Sequence, residues 1–461
     1  MTTLDDVVKW GEALAVEAMH GTFPALAPPM PPADASSHER ATDAIRPDAV
    51  AALFRSGDAR ALRIVAPRYL EAAAPALDAA YRAARREAHA PWAGSIDAAL
   101  AAEPHPGKRR EVASAFASAV ARGDRLLHER SSARDEAARR AGAASAAVLL
   151  AAGRDPGAAA LVPEVERGFV VPTDDAAAAA MRDRARAVGL TVDPIAAEDT
   201  PILAWMPERR SLLPPAALRR TLDDLAASLG VPSPRFMPAG PHPATIVFDE
   251  IAPPALVVTG SWGGPRGLLD ALEAFGRASR ATFIGSVRGS RARVSSDPAF
   301  GFAAGFLFRG IVATAAGLGA ADLPDDEALL SEIRLERVID ARRAWGRAAA
   351  EGTDRARRAA IALRAGTRRP GPGEEDEDAH DELDPVARLA GVSFALLLEE
   401  RLLTRFGRAW FSRREAGSFL RDLWAAEPDD SPRGMAHNLA LGTMDSAPLI
   451  EACRPPKGRV F

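Results

Sequence analysis

Long amphipathic runs rich in alanine and arginine dominate this chain, and they leave room for little but helix. Apolar residues recur at helical spacing over about 60–90, 109–152, 175–189, 214–229, 265–280, 298–319, 325–350, 353–365, 384–406 and 412–426. Only Ala244-Thr-Ile-Val-Phe248 and Ala255-Leu-Val-Val-Thr259 are short, β-branched and bounded by proline or glycine, as strands are. The expected fold is therefore mainly α, with one small β element at about 244–259. Stop signals punctuate the helices: Pro28-Pro-Met-Pro-Pro32, Gly153-Arg-Asp-Pro-Gly157, and Gly230 followed by Pro232. The acidic stretch from Gly371 to Glu382, flanked by Gly and Pro, buries too little to pack, and predicts a mobile loop over about 367–383.

Composition narrows the function classes. A net charge of −4 on 461 residues offers no general attraction to nucleic acid or anionic membranes. The one cysteine, Cys453, excludes an intramolecular disulfide and any Cys-based zinc site, and a cytoplasmic location follows most simply. No basic segment followed by an apolar run opens the chain, so no signal peptide is read there. The apolar stretch 300–319 contains Gly301-x-x-x-Gly305, a pattern that packs helices in bilayers, but Arg309 interrupts it. A central arginine costs about 2.5–3.5 kcal/mol on insertion, so a helix buried in a protein core is the better reading.

One helix invites closer attention. Over 264–279, Gly264 can cap the N-terminus and Pro265 can open the first turn. Leu268, Leu272, Phe275 and Ser279 share one face, and Arg266, Asp270, Glu273, Arg277 and Arg280 share the other. Glu273 and Arg277 stand at i and i+4 in the favoured orientation for an ion pair. By itself this is a surface helix with a salt-bridged face.

Its neighbours give that helix a context. Trp205-Met-Pro-Glu-Arg-Arg-Ser-Leu-Leu-Pro with the helix 218–230, the strands and glycine turn over 246–264, and Arg401 to Trp424 together resemble the thimet oligopeptidase and oligoendopeptidase F family of zinc metallopeptidases. The resemblance covers roughly 200–461; before that, only helix content is shared. It implies a large two-lobed helical fold with a central cleft, an N-terminal lobe over 1–200 and a peptidase-like lobe over 201–461. In that family an H-E-x-x-H helix supplies two zinc ligands and a general base, and a glutamate from a following helix supplies the third ligand.

Set against that pattern, Leu272-Glu-Ala-Phe-Gly-Arg-Ala278 lies on Leu-His-Glu-Ala-Gly-His-Ala. Glu273 stands at the first histidine, Ala274 at the general base and Arg277 at the second histidine. Phe302, in a segment similar to the family's ligand helix, stands at the third ligand. The family also places tyrosines beside the cleft, on a helix resembling 389–394, yet the chain's two tyrosines are Tyr69 and Tyr81. The resemblance implies zinc; the substitutions imply that its ligands are missing and that no catalytic residue remains. Hydrolysis by the family mechanism is not expected.

Other chemistry is thinly represented. None of the eight histidines pairs with another at metal-ligand spacing, and Thr259-Gly-Ser-Trp-Gly-Gly-Pro-Arg-Gly267 lacks the spacing and lysine of a phosphate loop. Three readings stand. A pseudoenzyme with no cofactor could hold a peptide or protein partner by strand addition at Val257, Thr259 and Gly260. An active hydrolase could use other residues in the same cleft, betrayed by ionisable groups with shifted pKa values. A structural protein could have its cleft filled by side chains.

Overall fold

A computed structural model describes residues 4–11, 41–89, 103–190, 207–231, 235–236, 244–248, 255–259, 264–351, 385–426 and 431–452, apart from 122 and 156, with a few isolated residues between these stretches. Gly260, Cys453 and the acidic stretch 367–383 lie outside the described residues.

The N-terminal part is a group of short helices: α1 (Pro47–Ser56), α2 (Ala59–Ala72), α3 (Pro75–His89), α4 (Pro106–Ala121), α5 (Asp124–Arg140) and α6 (Ala146–Ala151). The runs read as continuous over 60–90 and 109–152 are thus broken. Pro75 opens α3 after a break at 73–74, since the residue before a proline resists the helical conformation. Gly142, with φ 86°, closes α5 in the left-handed conformation that glycine adopts without strain. Leu62, Val65, Val50 and Leu149 form the core of this part, and the buried Tyr69 donates its hydroxyl to the Ala137 carbonyl at 2.7 Å.

A second and larger core begins soon afterwards. Residues of α7 (Leu161–Val165), α9 (Pro215–Leu229) and every later long helix join it. α8 (Val171–Ala187) precedes α9, which ends as read at Gly230, with φ 68°. Three strands follow: β1 (Arg235–Phe236), β2 (Ala244–Phe248) and β3 (Ala255–Thr259). β3 is central, parallel to β1 and antiparallel to β2, with Val257 opposite both Arg235 and Ile246. This sheet lies against α10 (Gly264–Ser295), which begins at the glycine read as its cap and runs well beyond 280.

α11 (Pro298–Arg309) packs between α10 and α14 (Pro385–Phe406). Asp297 caps α11, its side chain accepting from the Ala299 amide at 3.0 Å. The apolar run does not continue as one helix to 319. A 3-10 turn over Gly310–Ala313 separates α11 from α12 (Ala315–Ala320), and no described helix is long and apolar enough to cross a membrane. α13 (Glu327–Ala350) lies along α14, and α15 (Arg414–Ala426), α16 (Pro432–Asn438) and α17 (Ala447–Ala452) complete the core. Phe300 stacks edge-on against Phe394 at 5.4 Å and Trp424 at 6.4 Å. Helices α10, α11 and α14 approach at glycines. A methyl group on Gly276 would collide with the Ala304 carbonyl, and one on Gly391 with the Ala299 carbonyl.

A buried charge cluster at the candidate functional site

The polar face of α10 is largely covered: Arg266, Asp270, Glu273 and Arg277 are half-buried. From 264 to 285 every residue is buried or half-buried, so the surface helix expected from its pattern is instead surrounded. The pattern misleads because the polar face meets other charges as well as water. Arg309 at the end of α11, Glu336 and Asp340 on α13, and Arg388 on α14 close around it.

Glu273 lies at the centre. Its Oε2 accepts from Arg309 Nη1 at 3.0 Å, and its Oε1 lies 3.6 Å from Arg388 Nη2. Arg309 also reaches Asp340 at 2.8 Å and Asp270 at 4.0 Å, so one guanidinium joins carboxylates on two helices. Arg266 contacts Asp270 at 3.2 Å and Glu336 at 3.3 Å, and Arg343 lies 3.8 Å from Asp340. The Glu273 carboxylate thus has cross-helix partners in Arg309 and Arg388, beyond the intrahelical Arg277 read from the sequence. Arg277 also attracts the Glu273 carboxylate from its own helix.

The electrostatics differ from one carboxylate to the next. Burial alone would raise the pKa of Glu273, but Arg388 and Arg309, with Arg277, outweigh it and hold it at about 2. Asp270 goes the other way: burial raises it, and Arg266 and Arg309 only partly offset that. Glu336 is likewise raised by burial against the pull of Arg266.

The positions singled out by sequence do come together. Ala274 is buried beside Glu273, and a Cβ built on Gly305 of α11 would lie 2.9 Å from Glu273 Cγ and 3.4 Å from Arg277 Cγ. Phe302, one turn before Gly305, lies beneath the Arg388 guanidinium at 5.5 Å from its ring centre. α10 and α11 therefore cross at Glu273 and Arg277, the positions that the sequence resemblance sets against the two histidines of H-E-x-x-H. The remaining candidates sit elsewhere. Tyr69 and Tyr81 are buried in the N-terminal helices, and His437 is exposed on α16. Val257 is on the central strand, its backbone flanked on both sides, so an added peptide strand would meet β2 rather than β3.

These residues do not fit a zinc ion. The one carboxylate among the ligand positions faces two guanidiniums, and Arg277 adds a third positive charge nearby. Sequence reasoning missed Asp340, Glu336 and Arg388 as parts of the site. It noticed Arg309 only as an obstacle to membrane insertion, although a lone arginine in an apolar helix is itself a signal that a buried partner exists.

Comparison with solved structures identifies the fold. The chain is similar to PZ peptidase A, solved with an inhibitor, at 10% identity and TM-score 0.54, over 77% of this chain and 69% of that one. It is similar to an oligoendopeptidase F from Bacillus anthracis str. Ames at 11% identity and TM-score 0.55, over 98% of this chain and 83% of that one. A second oligoendopeptidase F structure matches at 12% identity and TM-score 0.55, over 77% and 68%. No family model and no curated protein matches the chain in sequence. The fold is that of the oligoendopeptidase F and PZ peptidase structures, as the sequence resemblance implied.

Proposed function

We propose that this chain is a pseudoenzyme: a protein with the oligoendopeptidase fold that binds no zinc, does not hydrolyse peptides by the family mechanism, and acts by holding a peptide or protein partner in the cytoplasm. One observation carries the reading. At the α10–α11 crossing, the four positions that would hold the metal and its base are Glu273, Ala274, Arg277 and Phe302, and the surrounding guanidiniums neutralise the one carboxylate among them. A partner strand would add along β2, whose other edge pairs with no strand among the described residues. Neither nucleic acid nor membrane is a partner on this reading.

The test is incubation of the purified protein with fluorogenic oligopeptides, with zinc supplied. No turnover above a no-protein control is expected, and zinc-dependent turnover removed by a chelator would overturn the reading. The raised pKa values of Asp270 and Glu336 favour a second reading, an active hydrolase using these carboxylates instead. Under it the same assay gives metal-independent turnover, abolished by Asp270→Asn.

A further inference from the structure

We propose that the guanidinium of Arg309, supported by Arg388, takes over the part the resemblance assigns to zinc, as an internal cation that neutralises the old ligand position and ties the helices together. The inference rests on the proposed loss of the metal site and adds what replaced it.

The geometry is that of a cation gathered by carboxylates. Arg309 ends α11 and is almost wholly buried, with 3% of its side chain exposed. Around it stand Glu273 at 3.0 Å, Asp340 at 2.8 Å and Asp270 at 4.0 Å, drawn from α10 and α13. A planar guanidinium with five donors can serve carboxylates on separate helices at once. Arg388 completes the set from α14. It approaches the second oxygen of Glu273 and lies over the face of Phe302, the residue at the third-ligand position. Every former ligand position thus has a role in a metal-free arrangement. Glu273 is the anion, Arg277 adds positive charge, and Phe302 offers a ring face to a cation. The contact between Arg309 Nη2 and Asp340 Oδ2 lacks hydrogen-bond alignment, so charge rather than direction holds that pair.

A double-mutant cycle on thermal unfolding tests this, using Arg309→Met, Glu273→Gln and the double variant, each with a chelator and with zinc. Arg309→Met should lower Tm by roughly 5–15 °C, because it strands buried carboxylates. Adding Glu273→Gln should restore at least a third of that loss, and neither chelator nor zinc should move the parent. Additive losses would overturn the proposal. Should Arg309→Met not fold, the cycle is run on Arg309→Lys, where a loss undiminished by Glu273→Gln overturns it equally. The two failures are separable. Stoichiometric zinc in the parent strikes at the proposed function, whereas an additive cycle in a metal-free protein strikes only at the role of Arg309.

Discussion

Among the places where this molecule sets arginines against carboxylates away from water, two are built on opposite plans. In the N-terminal helices one aspartate serves two arginines. Asp78 on α3 takes Arg130 at 2.5 Å and Arg134 at 3.0 Å, both from α5, and Arg130 lies over the Tyr81 ring at 4.8 Å. In the α10–α11 cluster four carboxylates, Asp270, Glu273, Glu336 and Asp340, share four arginines, Arg266, Arg309, Arg343 and Arg388. The first centres on a single aspartate and fastens α3 to α5. Burial and the neighbouring Arg130 lower the pKa of Arg134. The second shares its charges among several carboxylates and arginines and joins α10, α11, α13 and α14. A charge lost from it can be partly covered by another.

The largest effect that would separate the two plans is at Asp78. Asp78→Asn removes the carboxylate shared by two half-buried guanidiniums, leaving Arg134 the attraction of Glu71, and should cost about 3–5 kcal/mol in urea unfolding. Glu273→Gln should cost less, about 1–3 kcal/mol at neutral pH, because Arg309 keeps Asp340 and Asp270. Equal losses at the two sites would remove the distinction.

The acid limb of stability sharpens it further. Glu273 has its pKa lowered to about 2 from the usual 4.5, so its stabilisation is complete above about pH 4.5 and is lost as pH falls toward 2. Glu273→Gln should therefore flatten the fall in stability across that window. Asp270 has a raised pKa, and the sign reverses: its protonated form favours the folded state, and its contribution fades as pH rises through the raised value. Asp270→Asn should accordingly be the mildest change, within about 1 kcal/mol of the parent at neutral pH, and could raise stability. A large loss there would show that Asp270 earns its charge.

Local chemistry was legible in the sequence; the partnering of distant charges was not. Gly230 ends α9 and Gly264 begins α10 where glycine propensity placed them, because caps depend on a few adjacent residues. The resemblance located the crossing of α10 with α11 and put Glu273, Arg277 and Phe302 in one neighbourhood. The face of α10 was misread for a physical reason. Periodicity separates polar from apolar but cannot tell water from a buried ion network, and the partners Arg309, Asp340 and Arg388 lie 36 to 115 residues downstream of Glu273 and are marked by no motif. The breaks at 73–74 and 142 were missed because alanine-rich sequence carries helical periodicity across residues that end helices.

The central claim is that cationic side chains have taken the metal's place, and zinc content is its most direct test. Protein prepared in zinc-supplemented medium and freed of loosely bound ions should carry far less than one zinc per chain by elemental analysis. One tightly held zinc per chain would contradict the account.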